Sequence, residues 1–352
     1  MKARVLRIQV AALLAMSALT ACSDMRTITI QTYNPAKITF PEEVRNILIV
    51  NNSAQQPDNM AHHYVINDKD VASLSISADS TAYDFCQSLG CAIAEELQFD
   101  DVRICDDTLR TDSLFYNVVP FTGVDVSAMC NKYGVDAIIS LDRFVFKTLC
   151  NESSGFRMML CYIKTDLTGE MRVLWPGQTQ ALTFTFCDSL KWYLANEEFV
   201  PNVDSLQLKP QDVKQSMHYL ADHTGNTIRV NFVPYWKDVN RWYYTSYSSE
   251  WKRGTAFARA SKWAEATKVW EALLAGTAQK RSKARLLSNL ALCYEMNSDF
   301  DPAVSFAEQS YNLFIENDGA DDHYTILQKQ YLDALRARAE ADKILTKQLH
   351  EN

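Results

Sequence analysis

The pattern of apolar and polar residues predicts alternating strands and helices in the first half of the chain. The runs Ile47–Val50 and Ala137–Ile139 are continuously apolar and rich in β-branched residues, which is typical of strands covered on both faces. A helix is predicted between them from four apolar residues at four-residue spacing: Phe85, Leu89, Ile93 and Leu97. Asp79 or Ser80 could cap this helix.

Two further elements complete this pattern. Val102–Cys105 has the composition of a short strand, and Asp125 could cap a helix that Gly134 ends in a left-handed conformation. The inward positions of that second helix are Val126, Met129, Cys130 and Tyr133. Thr27–Thr32 alternates in the manner of a half-buried strand. The strand, helix, strand, helix, strand order predicts a compact α/β layer.

Residues 52–70 are polar and rich in turn formers, so we expect a long loop there. His62 and His63 fall in this loop, where we expect them to face solvent. Adjacent side chains diverge, which makes the pair a poor bidentate ligand. No Cys-x2-Cys or His-x3-His spacing occurs, so the sequence predicts no metal site and no cofactor.

The next section predicts antiparallel hairpins that extend the same sheet. Its strands should be three segments rich in β-branched and aromatic residues: Phe156–Asp166, Met171–Trp175 and Gln180–Phe186. Thr168-Gly169 and Pro176-Gly177 are the turn signals between them. Pro210 can then begin a helix with an apolar face, and Asn226–Val233 either continues that helix or forms a final strand.

The last third of the chain is helical and contains an internal repeat with an offset of 37 residues. The equivalent pairs are Gly254 with Ala291, Phe257 with Tyr294, Trp263 with Phe300, Ala266 with Ala303, and Trp270 with Ala307. Small residues let paired helices approach closely, and large ones fill the gaps between turns. Asp321–Leu349 then predicts a long amphipathic helix that covers the open end of the array.

Aromatic residues crowd the segment before the repeat. Trp236, Trp242, Tyr243 and Tyr244 could form a stacking platform for sugar rings, with Tyr247 and Trp251 close by. The alternative is that these rings pack between two domains.

The first residues have the composition of an export signal. Lys2, Arg4 and Arg7 form a basic leader, and the apolar run Ile8–Leu19 is too short to span a bilayer as a helix. The run ends in Leu19-Thr20-Ala21-Cys22, which resembles the bacterial lipobox. That resemblance implies cleavage before Cys22 and lipidation of its thiol, in a cell-envelope protein anchored at the outer membrane.

Composition and charge limit the partners further. The chain is 47% hydrophobic and 22% charged, as in globular proteins. Removing Lys2, Arg4 and Arg7 with the leader takes the formal charge from −8 to −11, so we expect repulsion from nucleic acid and anionic lipid. No second apolar run is long enough to span a membrane.

Eight cysteines remain after Cys22, and we expect them to be mostly free, buried thiols. Four lie among apolar neighbours: Cys130, Cys161, Cys187 and Cys293. A hairpin turning at Ser153 and Ser154 would place Cys150 opposite Phe156 or Arg157, too far from Cys161 for a disulfide.

The motif search gives no positive support for catalysis. The glycines are too widely spaced for the dinucleotide, P-loop and nucleophile-elbow motifs, so no nucleotide is expected. His218 and His223 are five residues apart and do not share a helix face. The pair Asp222-His223 is expected at a solvated helix end. An enzyme is therefore not predicted.

Two resemblances bear on the fold. The lipobox, with Arg45–Asn52, Val135–Asp142, Pro234–Trp236 and Arg241–Tyr244, resembles an uncharacterised lipoprotein family of the Bacteroides group that ends in tetratricopeptide-like helices. The repeat itself resembles the tetratricopeptide pattern, whose usual period is 34. That resemblance implies a groove lined by five residues: Trp251, Arg259, Arg285, Ser288 and Glu295. The clamp that grips a terminal carboxylate in that family has Lys and Asn where this chain has Trp251 and Thr255.

The expected fold is α+β, with an α/β sandwich-like domain extended by antiparallel hairpins and then an all-α tetratricopeptide-like array. The expected boundaries are 1–21 for the signal peptide, 22–37 for a lipidated tether, 38–233 for the α/β domain, and 234–352 for the aromatic junction and helices. The predicted function is a lipid-anchored protein-interaction or assembly module with an unknown envelope protein as partner. The alternative is a glycan- or peptidoglycan-binding lipoprotein that uses the aromatic residues, with or without hydrolysis.

Overall fold

A computed structural model of the protein describes residues 24–66, 69–107, 109–110, 114–155, 158–194 and 210–349. The signal segment and Cys22 lie outside these residues. The fold is α+β, as predicted, and its described residues form two compact units. Residues 36–235 with 348–349 form one, here called the α/β unit, and residues 24–35 with 236–347 form the other, the helical unit.

Seven strands and three helices make up the described part of the α/β unit, which also includes Tyr235, the first residue of β9 (Tyr235–Tyr244). In chain order they are β2 (Asn46–Asn51), β3 (His62–Ile66), β4 (Lys69–Ser73), α1 (Thr81–Glu95), β5 (Asp101–Ile104), α2 (Gly123–Tyr133), β6 (Ala137–Gly155), β7 (Met158–Leu174), β8 (Leu182–Leu194) and α3 (Pro210–Thr227). These are seven strands of one sheet and three helices, and a short 3-10 helix, Ile228–Asn231, follows α3.

The sheet is built around the two strands that the apolar runs predict. Strand β2 lies between β5 and β6 and is parallel to both, with Ile47 opposite Val102 and Ala137. All four residues of Ile47–Val50 are fully buried, which confirms a strand covered on both faces. Strand β6 continues beyond β2, pairs there with β3, and is antiparallel to β7 along its other side.

The hairpin section differs from the prediction at Gly169. Thr168 and Gly169 are not a turn: β7 runs without a break through them, and β8 pairs along its length. A Cβ at Gly169 would lie 2.1 Å from Cζ of Phe186, so glycine is there to admit an aromatic ring from the neighbouring strand. Pro176 and Gly177 do form the predicted turn, with Gly177 at φ 81°.

The predicted loop at 52–70 is wrong, because it contains β3 and the start of β4. His62 is buried at 1% exposure, while His63 faces solvent as predicted. The first helix buries Phe85, Leu89 and Ile93 but ends before Leu97, which is 87% exposed.

Three smaller predictions also change. Thr122, not Asp125, caps α2, and Asp125 completes a capping box from the third helical position. Residues 228–231 are a 3-10 helix and not a strand. The hairpin after β6 turns later than predicted, so Cys150 lies opposite Ile163.

The helical unit contains five helices and two strands. They are β1 (Met25–Asn34), most of β9 (Tyr235–Tyr244), α4 (Ser249–Arg259), α5 (Trp263–Gly276), α6 (Lys280–Met296), α7 (Phe300–Asp318) and α8 (His323–Gln348, nearly all of it). Strand β1 pairs only with β9 within the described residues, so the segment predicted as a tether is mostly strand. The aromatic segment, for which no strand was predicted, is the other half of this ribbon.

The 37-residue offset reappears in the helix pairs. Helices α5 and α7 begin at Trp263 and Phe300, and the turns before them contain Ser261 and Ser298, both with positive φ. A Cβ at Gly254 would lie 2.3 Å from Nε1 of Trp270, so this glycine lets α4 approach α5.

Six cysteines of the described residues have free thiols: Cys86, Cys91, Cys105, Cys130, Cys187 and Cys293. Cys130 and Cys293 are buried as predicted, Cys187 is exposed against the prediction, and the side chain of Cys161 lies outside the described part. Burial raises the pKa of Cys86 and Cys293 to about 12, which keeps both thiols protonated at neutral pH. Among the described helices, none combines the length and apolar character that crossing a membrane requires.

Candidate functional site: a strand held by the helical array

The inner helices of the helical unit hold the main chain of β9. The side chain of Asn289, fully buried on α6, accepts a hydrogen bond from the backbone N–H of Tyr244 at 2.6 Å. The same amide donates to the carbonyl of Tyr244 at 2.8 Å, and Nε1 of Trp251 donates to that carbonyl at 2.8 Å. The array therefore binds an extended backbone at its buried face, in addition to the side chains on that strand.

A second contact fixes the side chain of Arg241 farther along β9. Nη2 of Arg241 lies 2.9 Å from Oε1 of Glu295, and Nη1 of Arg338 lies 2.7 Å from the same oxygen. The hydroxyl of Tyr331 donates to Oε2 of Glu295 at 2.9 Å. Burial alone would lower the pKa of Arg241, but hydrogen bonding and attraction to Glu295 raise it above its usual range.

The third contact holds Asp24, just before β1. Asp24 accepts hydrogen bonds from Arg285 and from the Tyr324 hydroxyl, the latter at 3.0 Å, and its carbonyl accepts from the N–H of Thr245 at 2.8 Å. The Arg285 guanidinium lies 5.5 Å from the ring centroids of both Tyr244 and Tyr324. Asp24 is thereby attached to α6, to α8 and to the residue after β9.

These contacts correct the predicted partner groove. Trp251, Ser288 and Glu295 are buried and face the chain's own strand or the core, so they do not line an open surface. Arg285 is engaged by Asp24. Arg259 alone of the five is exposed. No pattern in the sequence shows that the inner face is filled by β9, because the strand and the helices it contacts are tens of residues apart.

Comparison with family models identifies the chain. The model of a domain of unknown function, DUF8603, matches residues 44–244, more than half of the sequence. The chain belongs to this family. A second domain of unknown function, DUF6340, matches residues 252–337, which fall within the helical unit.

Other comparisons add little to this DUF8603 assignment. No curated protein matches the chain. A solved structure titled "Crystal structure of uncharacterized protein" is 12% identical over 55% of this chain and 99% of its own, with a TM-score of 0.21. A score of that size carries no inference about fold or function.

The four residues of the predicted aromatic platform do not share one surface. Tyr243 and Tyr244 are buried at 3% and 0% exposure, and Trp242 packs on Tyr331 with ring centroids 5.5 Å apart. Trp236 is 62% exposed and lies 4.8 Å from the ring of Tyr33. Only Trp236 of the four can therefore offer a broad ring face to a ligand.

Sequence reasoning did not find the buried polar cluster of the α/β unit. Oδ1 of Asp142 accepts from Asn52 at 2.9 Å and from Ser140 at 2.8 Å, and Oδ2 lies 2.7 Å from Nε of Arg172. Burial raises the pKa of Asp142 despite these donors and the Arg172 charge. Asn52 follows β2 and Asp142 lies within β6, so the cluster ties the end of β2 to β6 at the point where their pairing stops. The charge of Arg172 balances the Asp142 carboxylate, so we assign the cluster a structural role.

A polar groove between α1 and α3 brings His218 and Asp84 together at 2.5 Å, a pairing that the sequence did not predict. Ser88 and Cys91 also line this groove, but the Ser88 hydroxyl donates to the carbonyl of Asp222 at 2.7 Å and does not face the imidazole. His223 pairs with Asp188. Within the described residues, no group of three or more His, Cys, Asp or Glu side chains is arranged to hold a metal ion.

Proposed function

We propose that the protein is a lipid-anchored envelope lipoprotein that acts as a protein-interaction or assembly module and performs no catalysis. The observation that carries this proposal is the double hydrogen bond between the Asn289 side chain and the backbone of Tyr244. Helices that bind one extended segment through its main chain are suited to positioning a strand to which a partner can add. The 37-residue repeat supports a tetratricopeptide-like interpretation of the array.

In this proposal the partner binds beside the strand that the array already holds. Asp24 contacts Thr245, Thr29 contacts Asn240 and Thr32 contacts Lys237, so β1 and β9 are antiparallel. The backbone groups of alternate residues of β1 therefore point away from β9. Those residues include Thr27, Thr29 and Gln31, which are exposed. A partner segment can add to this edge as a third strand, with affinity from main-chain hydrogen bonds.

The partner is tested by photo-crosslinking in intact cells. A p-benzoylphenylalanine placed at Gln31 should yield one discrete protein adduct, because the β1 edge is the proposed docking surface. The same group at Lys329, a position on α8 whose side chain is 45% exposed, is the matched control and should not yield that adduct. Equal recovery of that partner from both positions, or a muropeptide adduct at Gln31, would contradict this proposal.

The anchor is tested separately at Cys22. Cys22→Ser should move the protein from the membrane fraction to the soluble fraction, and mass spectrometry of the wild type should show a lipidated amino-terminal cysteine. Cys91→Ser, at an exposed helical position, controls for loss of a thiol. The proposed location at the outer membrane is then measured by density separation of the two membranes.

One observation favours a second candidate function, glycan binding. Trp236 is exposed and lies against Tyr33 at an interplanar angle of 31°, and exposed aromatic rings are a common platform for sugars. Trp236→Ala should then remove binding to purified peptidoglycan, while Trp242→Phe, at a position packed on Tyr331, should preserve it. Equal sedimentation of wild type and Trp236→Ala with peptidoglycan would remove this candidate.

A further inference from the structure

The point where the chain enters the helical unit lies very close to the proposed lipid. Asp24 is held by Arg285, Tyr324 and the backbone of Thr245, and only one residue separates it from Cys22. An extended chain advances about 3.3–3.6 Å per residue, so the Cα atoms of Cys22 and Asp24 are at most about 7 Å apart. If Cys22 is lipidated, as proposed above, the surface around Asp24 therefore lies against the headgroups.

That surface contains an exposed aromatic ring. Tyr247 is two residues beyond Thr245 and is 79% exposed, and Nζ of Lys252 lies 6.0 Å from its ring centroid. Tyrosine is enriched at membrane interfaces, because its ring is apolar and its hydroxyl is polar. Tyr247 is thus both near the anchor and chemically suited to the headgroup region.

The same end of the unit is basic. Arg26, Lys252 and Arg259 are exposed, and none of the three forms an ion pair with another described residue. The charges of Arg259 and Arg26 oppose the rise in the Tyr243 pKa that burial causes. Arg26, two residues after Asp24, and Lys252, beside Tyr247, therefore place positive charge near the attachment point of a mature chain whose formal charge is −11.

We infer that this surface, made of Arg26, Tyr247, Lys252 and Arg259, docks on the anionic phospholipid headgroups beside the anchor. Each cation near an anionic membrane surface strengthens binding about fivefold. The acidic remainder of the chain is repelled by the same surface, which favours this end as the contact. The lipid thus fixes the orientation of the helical unit as well as its location.

The test uses the mature chain coupled through its Cys22 thiol to a maleimide phospholipid in phosphatidylglycerol vesicles. Cys91, Cys161 and Cys187 are changed to Ser so that coupling is specific. A p-benzoylphenylalanine at position 247 should crosslink phospholipid at least about tenfold more than one at Lys343. Lys343 lies on α8 about 28 Å beyond Tyr324, at 1.5 Å per residue. Equal phospholipid adducts at the two positions would overturn the inference.

Charge reversal tests the electrostatic part. Lys252→Glu with Arg259→Glu should lower the yield at position 247 several-fold on phosphatidylglycerol vesicles and leave it unchanged on phosphatidylcholine vesicles. Lys343→Glu is the matched control and should change neither yield. An equal loss on both lipids would overturn the role of charge.

The outcome is separable from that of the proposed anchor. Because the tether is made chemically, crosslinking reports on docking whether or not cells lipidate Cys22. An unmodified Cys22 in cells, seen by mass spectrometry, would overturn the anchor alone. A lipidated Cys22 with equal crosslinking at both positions would overturn the docking surface alone.

Discussion

Glu295 is the buried charge on which the inner face of the helical unit depends. Its carboxylate has no exposed area and balances two guanidinium groups, those of Arg241 and Arg338. Glu295→Gln removes the negative charge while keeping the size of the side chain. It leaves two poorly solvated cations without a counter-charge, so we expect the free energy of unfolding to fall by about 3–5 kcal/mol. Urea denaturation followed by circular dichroism measures this change.

The matched control is an exposed pair in the same unit. Glu308 is bonded to Arg336, and both side chains are about half exposed. Glu308→Gln should change the free energy of unfolding by less than about 1 kcal/mol, because solvent screens this pair. A loss as small for Glu295→Gln as for Glu308→Gln would show that Glu295 is not balancing buried charge.

His62 gives a prediction about pH. Burial lowers its pKa below the ordinary 6.5, the charge of His63 lowers it further, and Asp58 opposes them. In the unfolded chain the imidazole takes up a proton near 6.5, whereas the folded protein binds that proton only at lower pH. Stability should therefore fall as pH drops below about 6.5, and His62→Asn should make that fall shallower.

Thermal unfolding between pH 7.5 and 5 measures the His62 effect. His323→Asn, at an exposed position in the other unit, controls for loss of an imidazole. If the pH dependence of the midpoint is equally steep in His62→Asn and in wild type, the neutral buried state of His62 contributes nothing to it.

For single residues, the sequence predicts the burial of apolar side chains better than the burial of polar ones. Cys130 and Cys293 are buried because small apolar side chains among apolar neighbours usually are. Glu295 and Ser288 carry polar groups on a helix, which the sequence alone assigns to an open groove. Their burial depends on β9, which is remote in sequence, so no local pattern contains it.

The packing of secondary-structure elements depends on close approaches that only glycine permits. At Gly169 the ring of Phe186 occupies the space of a Cβ, and moving it would disturb its stack on Phe85, with centroids 5.1 Å apart. Gly169→Ala should therefore lower the free energy of unfolding by about 1–3 kcal/mol through overpacking. Chemical denaturation measures the loss.

Two further variants make the Gly169 test specific. Gly276→Ala, where nothing lies within 4 Å of the added Cβ, should be neutral or slightly stabilising. Adding Phe186→Ala to Gly169→Ala should cost less than the sum of the two single changes, because the clash is then absent. Additive losses of unfolding free energy would show that the effect of Gly169→Ala does not come from contact with Phe186.

Elements were predictable where one local signal decided them. Ile47–Val50 is a strand because four consecutive apolar residues need cover on both faces, and Gly134 ends α2 in the left-handed conformation, at φ 61°. Thr168-Gly169 has the composition of a turn, yet its glycine serves packing between strands. The polar residues at 52–66 become ordered because β3 pairs with the far half of β6, a contact separated by more than eighty residues.

At the scale of the whole molecule, the helical unit is assembled from both ends of the chain. Strand β1 pairs with β9, more than two hundred residues away, and the Thr29 hydroxyl donates to Asn240 at 3.0 Å. Sequence analysis predicts consecutive domains, because composition changes are read along the chain. It therefore treats the residues after Cys22 as a tether, although they are a structural part of the helical unit.

The family match and the structural units end at different residues, and this difference can be tested. The DUF8603 match extends to Tyr244, whereas the main segment of the α/β unit ends at Tyr235. A fragment of residues 36–244 would carry Trp242, Tyr243 and Tyr244 without the helices that bury them. Large aromatic side chains bury about 150–250 Å² each, so their exposure creates an apolar patch of the size that drives association.

We expect the 36–244 fragment to self-associate and the 36–235 fragment to remain monomeric in size-exclusion chromatography with light scattering. Changing Trp242, Tyr243 and Tyr244 to Ser in the longer fragment should restore the monomer, since the added length is then the same but the apolar area is gone. Equal masses for both wild-type fragments would mean that β9 is satisfied without the helical unit, and the division at residue 235 would then be wrong.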